Sequence, residues 1–276
     1  MRLQLMLVAA MLGLGAGSAQ AASIEIKDAV ARVTVVPQDR SDIKVEVTAP
    51  NPRLPLTVRS LGDRTILDGD LDRKIRDCRS RGESSRVMVR GVGEVGWSQM
   101  PQVVIYTPRD VDLDAGGAVF GSIGRSNSLR LDNSGCGDWV IANVAQNAKV
   151  RQAGSGDTRM GSSGALEIRV AGSGDIAAAD VRGGLEISIA GSGDAGVKSV
   201  NGPLEVNVAG SGDVLVAGGR ATTMKVSIAG SGDVDFRGVA DSVRARIAGS
   251  GDVHVDEVKG EVSKMVMGSG SVRVGR

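Results

Sequence analysis

Aromatic side chains are scarce. Phe120, Phe236, Trp97, Trp139 and Tyr106 are all that 276 residues contain. Folds that read nucleic acid by stacking bases need clusters of aromatics, so that class of function is excluded. Histidine is scarcer still: a single His254 rules out a multi-histidine metal centre. It lies between Val253 and Val255, an alternation that points it outward with no partner and no catalytic claim. An excess of either charge is also missing. Arg2 is the only charged residue before position 22, so Lys+Arg and Asp+Glu are 32 each in the remainder. A neutral chain is not built mainly to hold a polyanion such as nucleic acid.

Long apolar runs are missing too, except at the start. Arg2, the apolar stretch Leu3 to Leu14 and the small-x-small site Ala19-Gln20-Ala21 have the order of a secretory signal peptide over 1–21. The stretch is too short to span a bilayer, and polar, strand-like sequence follows at once. The expected product is a periplasmic or secreted protein with no integral membrane segment. Cysteine is limited to Cys78 and Cys136. In an oxidising compartment one pair is most simply a disulfide, and without a C-x-x-C motif catalytic redox chemistry is not indicated.

Glycine is abundant instead, 40 of 276 residues, roughly twice its ordinary share. Much of it belongs to one repeated string. Gly-Ser-Gly-Asp recurs with Asp157, Asp175, Asp194, Asp213, Asp233 and Asp252 at spacings of 18, 19, 19, 20 and 19. One step back stands Gly135-Cys136-Gly137-Asp138; one step forward stands Gly268-Ser269-Gly270-Ser271. Apolar residues recur between the marks, as Ile176, Ala178, Val181, Leu185, Ile187 and Ile189 after Asp175. Steps of two within each cluster describe short strands with one buried face. A period near 19 is too short for a propeller blade and fits one coil of a parallel β-helix. The fold expected is therefore all-β: a solenoid of about eight coils over 108–276, stacked at ~4.8 Å. Residues 22–107 lack the repeat but still alternate, at Val33 and Val35 or Val103 and Ile105 for example, and are expected to form an irregular N-terminal β cap.

Each column of the stack carries its own chemistry. Glycines such as Gly172, Gly191 and Gly210 suit sharp corners that need positive φ. Cys136 takes the serine slot of the earliest clear coil, near the segment that carries Cys78, which favours a disulfide between cap and rod. The column Asp138, Asp157, Asp175, Asp194, Asp213, Asp233 and Asp252 has two readings. It either accepts backbone N–H groups just after each turn or collects calcium, as glycine-aspartate β-helix repeats do. One acidic turn per coil supplies few of the six to eight oxygens that calcium takes, so turn securing is the favoured reading and no metal or other cofactor is assigned. An outward column runs Arg130, Lys149, Glu167, Glu186, Glu205, Lys225 and Arg244. Paired carboxylates are glycosidase chemistry. With no aromatic platform and no pocket expected there, the column reads as a solvated, cross-paired face. Residues 68–86 read as an arginine-rich surface loop. Arg73, Lys74, Arg76, Arg79 and Arg81 are its candidate anion-binding residues, with Asp72, Asp77 and Glu83 interleaved as self-pairing partners.

Two stretches carry a family resemblance. One is Val30 to Gln38 followed by Ile43-Lys44-Val45-Glu46-Val47; the other is Val104 to Asp114 leading into the repeated coils. Together they resemble the bacterial proteins called putative auto-transporter adhesin head domains, of the GIN type. The resemblance implies a right-handed parallel β-helix, in keeping with the general preference for right-handed crossovers, along with export and no established enzymatic activity. No run of amphipathic strands that would build an outer-membrane barrel is visible. The function expected is a non-enzymatic structural, adhesive or ligand-binding role at the cell envelope, with an unidentified envelope or glycan partner. The alternatives are a polysaccharide lyase or hydrolase and a calcium-stiffened rod.

Overall fold

A computed structural model of the chain describes residues 22–80 and 82–275; the leader expected over 1–21 and Arg81 lie outside them. The described residues form a β-solenoid of about nine turns. In a representative coil, Leu185–Gly191 runs up to the corner Gly191-Ser192-Gly193-Asp194, and the chain continues as the bent strand Ala195–Gly210. Parallel pairing repeats coil upon coil. Leu166, Leu185, Leu204, Met224 and Val243 stand in one column, and Ile176, Ala195, Val214, Val234 and Val253 in another. Inward members of these columns are buried and join one core reaching from Ile24 to Val255.

Two glycines of each corner do different work. Gly191 has φ 144°, a region that costs a side chain much and glycine little. Gly193 is required by proximity, since a Cβ there would overlap the carbonyl oxygen of Gly174 one coil away. The serine and the second glycine then share an acceptor: the N–H groups of Ser192 and Gly193 both donate to the Gly172 carbonyl, at 3.0 and 3.1 Å.

The coil count exceeds the expected eight because stacking continues where the glycine marks stop. β1 (Ser23–Pro37) is not an edge. It is sandwiched. After it come β2 (Lys44–Ala49), β3 (Thr57–Leu61) and β4 (Arg64–Asp68). Beyond Asp68 lies an insertion holding β5 (Ile75–Arg79), β6 (Arg86–Val89) and β7 (Gly93–Gly96). The chain then returns as β8 (Gln102–Thr107) and β9 (Asp110–Ile123). β4 and β8 follow one another end to end along one edge of β1, against Ser23–Lys27 and Arg32–Pro37, and β9 pairs along the other, all parallel. Antiparallel β2 and β3 border β8 and β4 and finish that end.

The segment read as an arginine-rich loop carries one short strand of its own, β5, and otherwise turns and irregular backbone among its described residues. β5, β6 and β7 form a separate antiparallel sheet. A register shift between Ile75 and Asp77 breaks the alternation of β5, which is why the sequence pattern hides it. The sheet covers a second core on the outside of the solenoid wall. Val30 of β1 and Ala118 and Phe120 of β9 pack there against Val87, Val89 and Val95. Trp97 meets Phe120 edge to face at 5.6 Å, and the Arg32 guanidinium lies 5.0 Å from the Trp97 ring. A disulfide joins Cys78 of β5 to Cys136, their Cα atoms 6.1 Å apart. Beside it the Ser80 hydroxyl donates to the Cys136 carbonyl at 2.7 Å. The bridge therefore clamps the insert over its own apolar patch. It closes a loop of sequence separation 58, for which chain entropy sets a stabilisation of about 4 kcal/mol.

Thiol titration of the unfolded, unreduced protein should accordingly find no free cysteine. The double variant Cys78→Ser, Cys136→Ser should lose about 4 kcal/mol in denaturant unfolding. Two titratable thiols in the oxidised protein would contradict the pairing.

Candidate functional site

The aspartate column lies along one corner of the solenoid, where its carboxylates reach across coils rather than around their own turns. Asp194 Oδ1 accepts the backbone N–H of Asp213 at 2.8 Å, and Asp213 Oδ1 accepts that of Asp233 at 2.8 Å. The same bond links Asp138 to Asp157, Asp157 to Asp175, Asp175 to Asp194 and Asp233 to Asp252, over 2.7 to 3.1 Å. In the other direction each main chain replies: the Ala195 N–H donates to the Asp213 carbonyl at 2.9 Å. The turn-securing role read from the sequence was local; the geometry is a ladder between coils. At its end, Asp252 accepts both the hydroxyl and the N–H of Ser271, which with the Arg273 charge hold its carboxyl below the usual range. Among the described residues no three His, Cys, Asp or Glu side chains converge as a metal cage.

The outward charge column also holds its expected order, but it is not a plain solvated face. It borders a groove of about 700 Å³ that runs along the rod. The reason lies two residues earlier in each coil. Ser128, Asn147, Ala165, Gly184, Pro203 and Thr223 succeed one another along the groove and are too small to fill it. At its N-terminal end the groove is internally neutralised. Arg130 contacts Asp112 at 2.6 Å and Asp114 at 3.1 Å, and also pairs with Asp132. Lys149 meets Glu167 at 2.8 Å, and Arg169 meets the other Glu167 oxygen at 2.6 Å. Burial alone would raise the Glu167 carboxyl; the Lys149 hydrogen bond and charge, with Arg169 and Arg151, outweigh it and hold the group low. Further along, Glu186 has only a 3.9 Å contact with Arg169. The groove thus changes from compensated charge to open charge along its length. None of the five aromatics lines it.

The remaining candidates are placed apart from the groove. Arg73, Lys74 and Arg79 lie in the insert and pair locally with Asp72, Asp70 and Asp77 at 3.7 to 3.8 Å. Arg76 belongs to β5 and is exposed. His254 has a partner after all: its Nε2 lies 3.3 Å from Asp256 Oδ1, because residues two apart share the outward face of one strand.

Two substitutions separate the ladder from a metal site. Asp194→Ala removes the acceptor of an exposed hydrogen bond worth about 1 kcal/mol, which should lower Tm by about 2–4 °C. Asp194→Asn keeps an acceptor oxygen and removes like-charge repulsion of roughly 0.9 kcal/mol per neighbour at ~4.8 Å in water before salt screening. Its Tm should match or exceed that of the wild type. Both results should be the same with calcium and with chelator; a calcium-dependent rise lost in Asp194→Asn would show the column to be a cation site.

Solved structures share this architecture. A putative adhesin from Parabacteroides distasonis ATCC 8503 aligns with TM-score 0.53 and 15% identity, over 92% of this chain and 93% of its own. A putative lipid binding protein from the same organism aligns with TM-score 0.53 and 19% identity, over 93% of each chain. At these identities the likeness is one of fold. No curated protein matches. The family model described as "Putative auto-transporter adhesin, head GIN domain" matches residues 32–219 and again 182–275, so nearly the whole solenoid is accounted for by one family, and the chain belongs to it.

Proposed function

We propose that the chain is an exported, adhesin-like binding protein of the bacterial cell envelope, without catalytic activity of its own, that holds an extended glycan along its outer groove. The observation that carries this reading is the groove itself, about 700 Å³ and running across successive coils from Asp110 to Lys225. A groove that runs across successive coils favours an extended ligand laid parallel to the rod. Without aromatic platforms, sugar recognition there rests on hydrogen bonds and charge, from Asn147, Thr223, Glu186, Glu205 and Lys225. Membership of an adhesin family supports binding in place of turnover. The lipid-binding name of one structural neighbour makes a membrane lipid the competing ligand.

A glycan array probed with the purified protein tests the reading, with phosphatidylglycerol vesicles as a parallel arm. Gly184→Trp is the matched variant. A Cβ at Gly184 meets only ordinary contacts with Pro203, so the indole enters the groove without disturbing the coil. The wild type should retain extended glycans and release them at their original length. The variant should bind at least tenfold more weakly, a loss of about 1.4 kcal/mol, at unchanged Tm. Binding should weaken as salt rises. A blank array, retention on vesicles alone, shortened glycans or undiminished binding by Gly184→Trp would each overturn it. Export is tested separately: N-terminal sequencing of the secreted or periplasmic product should begin at Ala22.

A further inference from the structure

The outermost described coil is built unlike the others. Its strand Val262–Gly268 pairs with Val243–Gly249 along one edge, and no strand among the described residues pairs with the other. Every residue of that strand is exposed. Apolar exposure gathers here: Val262 is 40% exposed, Met265 58%, Met267 65% and Val274 47%. An unpaired edge over exposed core is the template on which a second chain would form the next rung.

One residue breaks the pattern. Register places Val262, Lys264 and Val266 over Val243, Ala245 and Ile247, all of which are buried. Lys264 therefore occupies the inward column Ile168, Ile187, Val206, Val226, Ala245, in which every earlier member named is apolar. Lys264 is exposed at this end, and a long stem lets an ammonium keep its water there. A second coil seated on this end would strip water from that ammonium among Val262, Val266 and Val274. Asp252, at this end of the aspartate column, is already paired with Arg273 at 3.1 Å. Inward-pointing charge on an edge strand is a known bar to pairing. At the opposite end β2 and β3 run antiparallel to their neighbours and do not present the outline of a coil. The surface matched to the exposed end is thus the same end of a second copy, related by a two-fold axis.

We propose that Lys264 is a stop built into the solenoid: it keeps the open end from pairing with a second copy of the chain, and without its charge two chains dock tail to tail. Sedimentation velocity at micromolar concentrations tests this on the purified chain. Lys264→Val and Lys264→Met should shift from monomer to dimer, with a dimer dissociation constant at least tenfold below that of the wild type. Lys264→Glu, which restores a charge of opposite sign, should stay monomeric. Adding Val266→Lys to Lys264→Val should return the monomer and locate the contact. Far-UV circular dichroism monitors folding, and the methionine variant serves if the valine variant misfolds. The idea is overturned if the folded apolar variants remain monomeric, if the wild type dimerises equally, if Lys264→Glu dimerises as they do, or if species larger than dimers form.

Discussion

The approach of each glycine corner to the carbonyl of the coil before it sets the terms for everything else in this protein. A ladder spacing of ~4.8 Å leaves no room for a side chain where one corner crosses another. Gly193 faces Gly174, Gly212 faces Gly193 and Gly232 faces Gly212, each against a carbonyl oxygen. Once the corners nest, the strands that leave them are in register, and the apolar columns follow without further instruction. The aspartates add a second link at the same corner. A coil's N–H at the Asp position faces its neighbour's carboxylate, not a main-chain oxygen, so the short acidic side chain completes the ladder where the backbone turns away. Like charges in line repel one another. The arrangement holds because each carboxylate reaches a backbone donor and several are open to water.

Identical coils create a problem of their own, since a stack of repeats can slip by one whole repeat and still bury its valines. The N-terminal coils carry side chains that do not fit elsewhere. Asn133 donates to the Gln152 side chain at 3.1 Å, and the Thr158 hydroxyl donates to the same oxygen at 3.2 Å, all three buried. In the next coils the matching positions are Val170 and Ile176. A slipped register would separate Asn133 from Gln152 and lose the bond between two buried amides. Trp139 acts by size. It stands over Gly121, where even a methyl group would overlap the indole. The insert and its disulfide then anchor this unique end from outside.

These devices were unequally legible in the sequence. The repeat, the inward columns from Ile176 to Ile189 and the disulfide partners could be read because each rests on a local rule: alternation, a fixed period, or a single pair of cysteines. The covering sheet could not. Its strand β5 carries a register shift, and the apolar residues it hides, Val30, Ala118 and Phe120, lie on strands whose other face already accounts for their alternation. The destination of the aspartate carboxylates was missed for a related reason. A turn motif suggests bonds within the turn, whereas the nearest unpaired donor lies 19 residues onward and close only in space. The groove was overlooked because small residues look empty in sequence, and their effect appears only when they are stacked.

Where the repeat length varies shows why the groove lies on its own side of the rod. The spacings of 18 and 20 do not touch the Gly-Ser-Gly-Asp corner. The extra residue of the longer coil is taken up between Gly202 and Leu204 opposite Ala221 and Met224, where the register shifts. In the shorter coil Ala165 pairs with Asn147, 18 residues apart, and the 19-residue offset returns by Leu166 and Leu185. Against the coil before, both adjustments fall at the corner that precedes the leucine column; against the coil after, the longer coil returns to a 19-residue offset between Val216 and Arg220. That corner is also where Asn147, Ala165, Gly184, Pro203 and Thr223 differ from coil to coil. The packed corner admits one solution, because a carbonyl oxygen occupies the space a side chain would need. At the other corner a Cβ would meet such a carbonyl at Gly164 and Gly202 but only ordinary contacts at Gly184, so that corner tolerates changes in length and in residue type at more of its positions. Shape and charge in the groove can therefore vary without loosening the stack. A binding surface belongs on the side of the fold where the physics of stacking is least demanding.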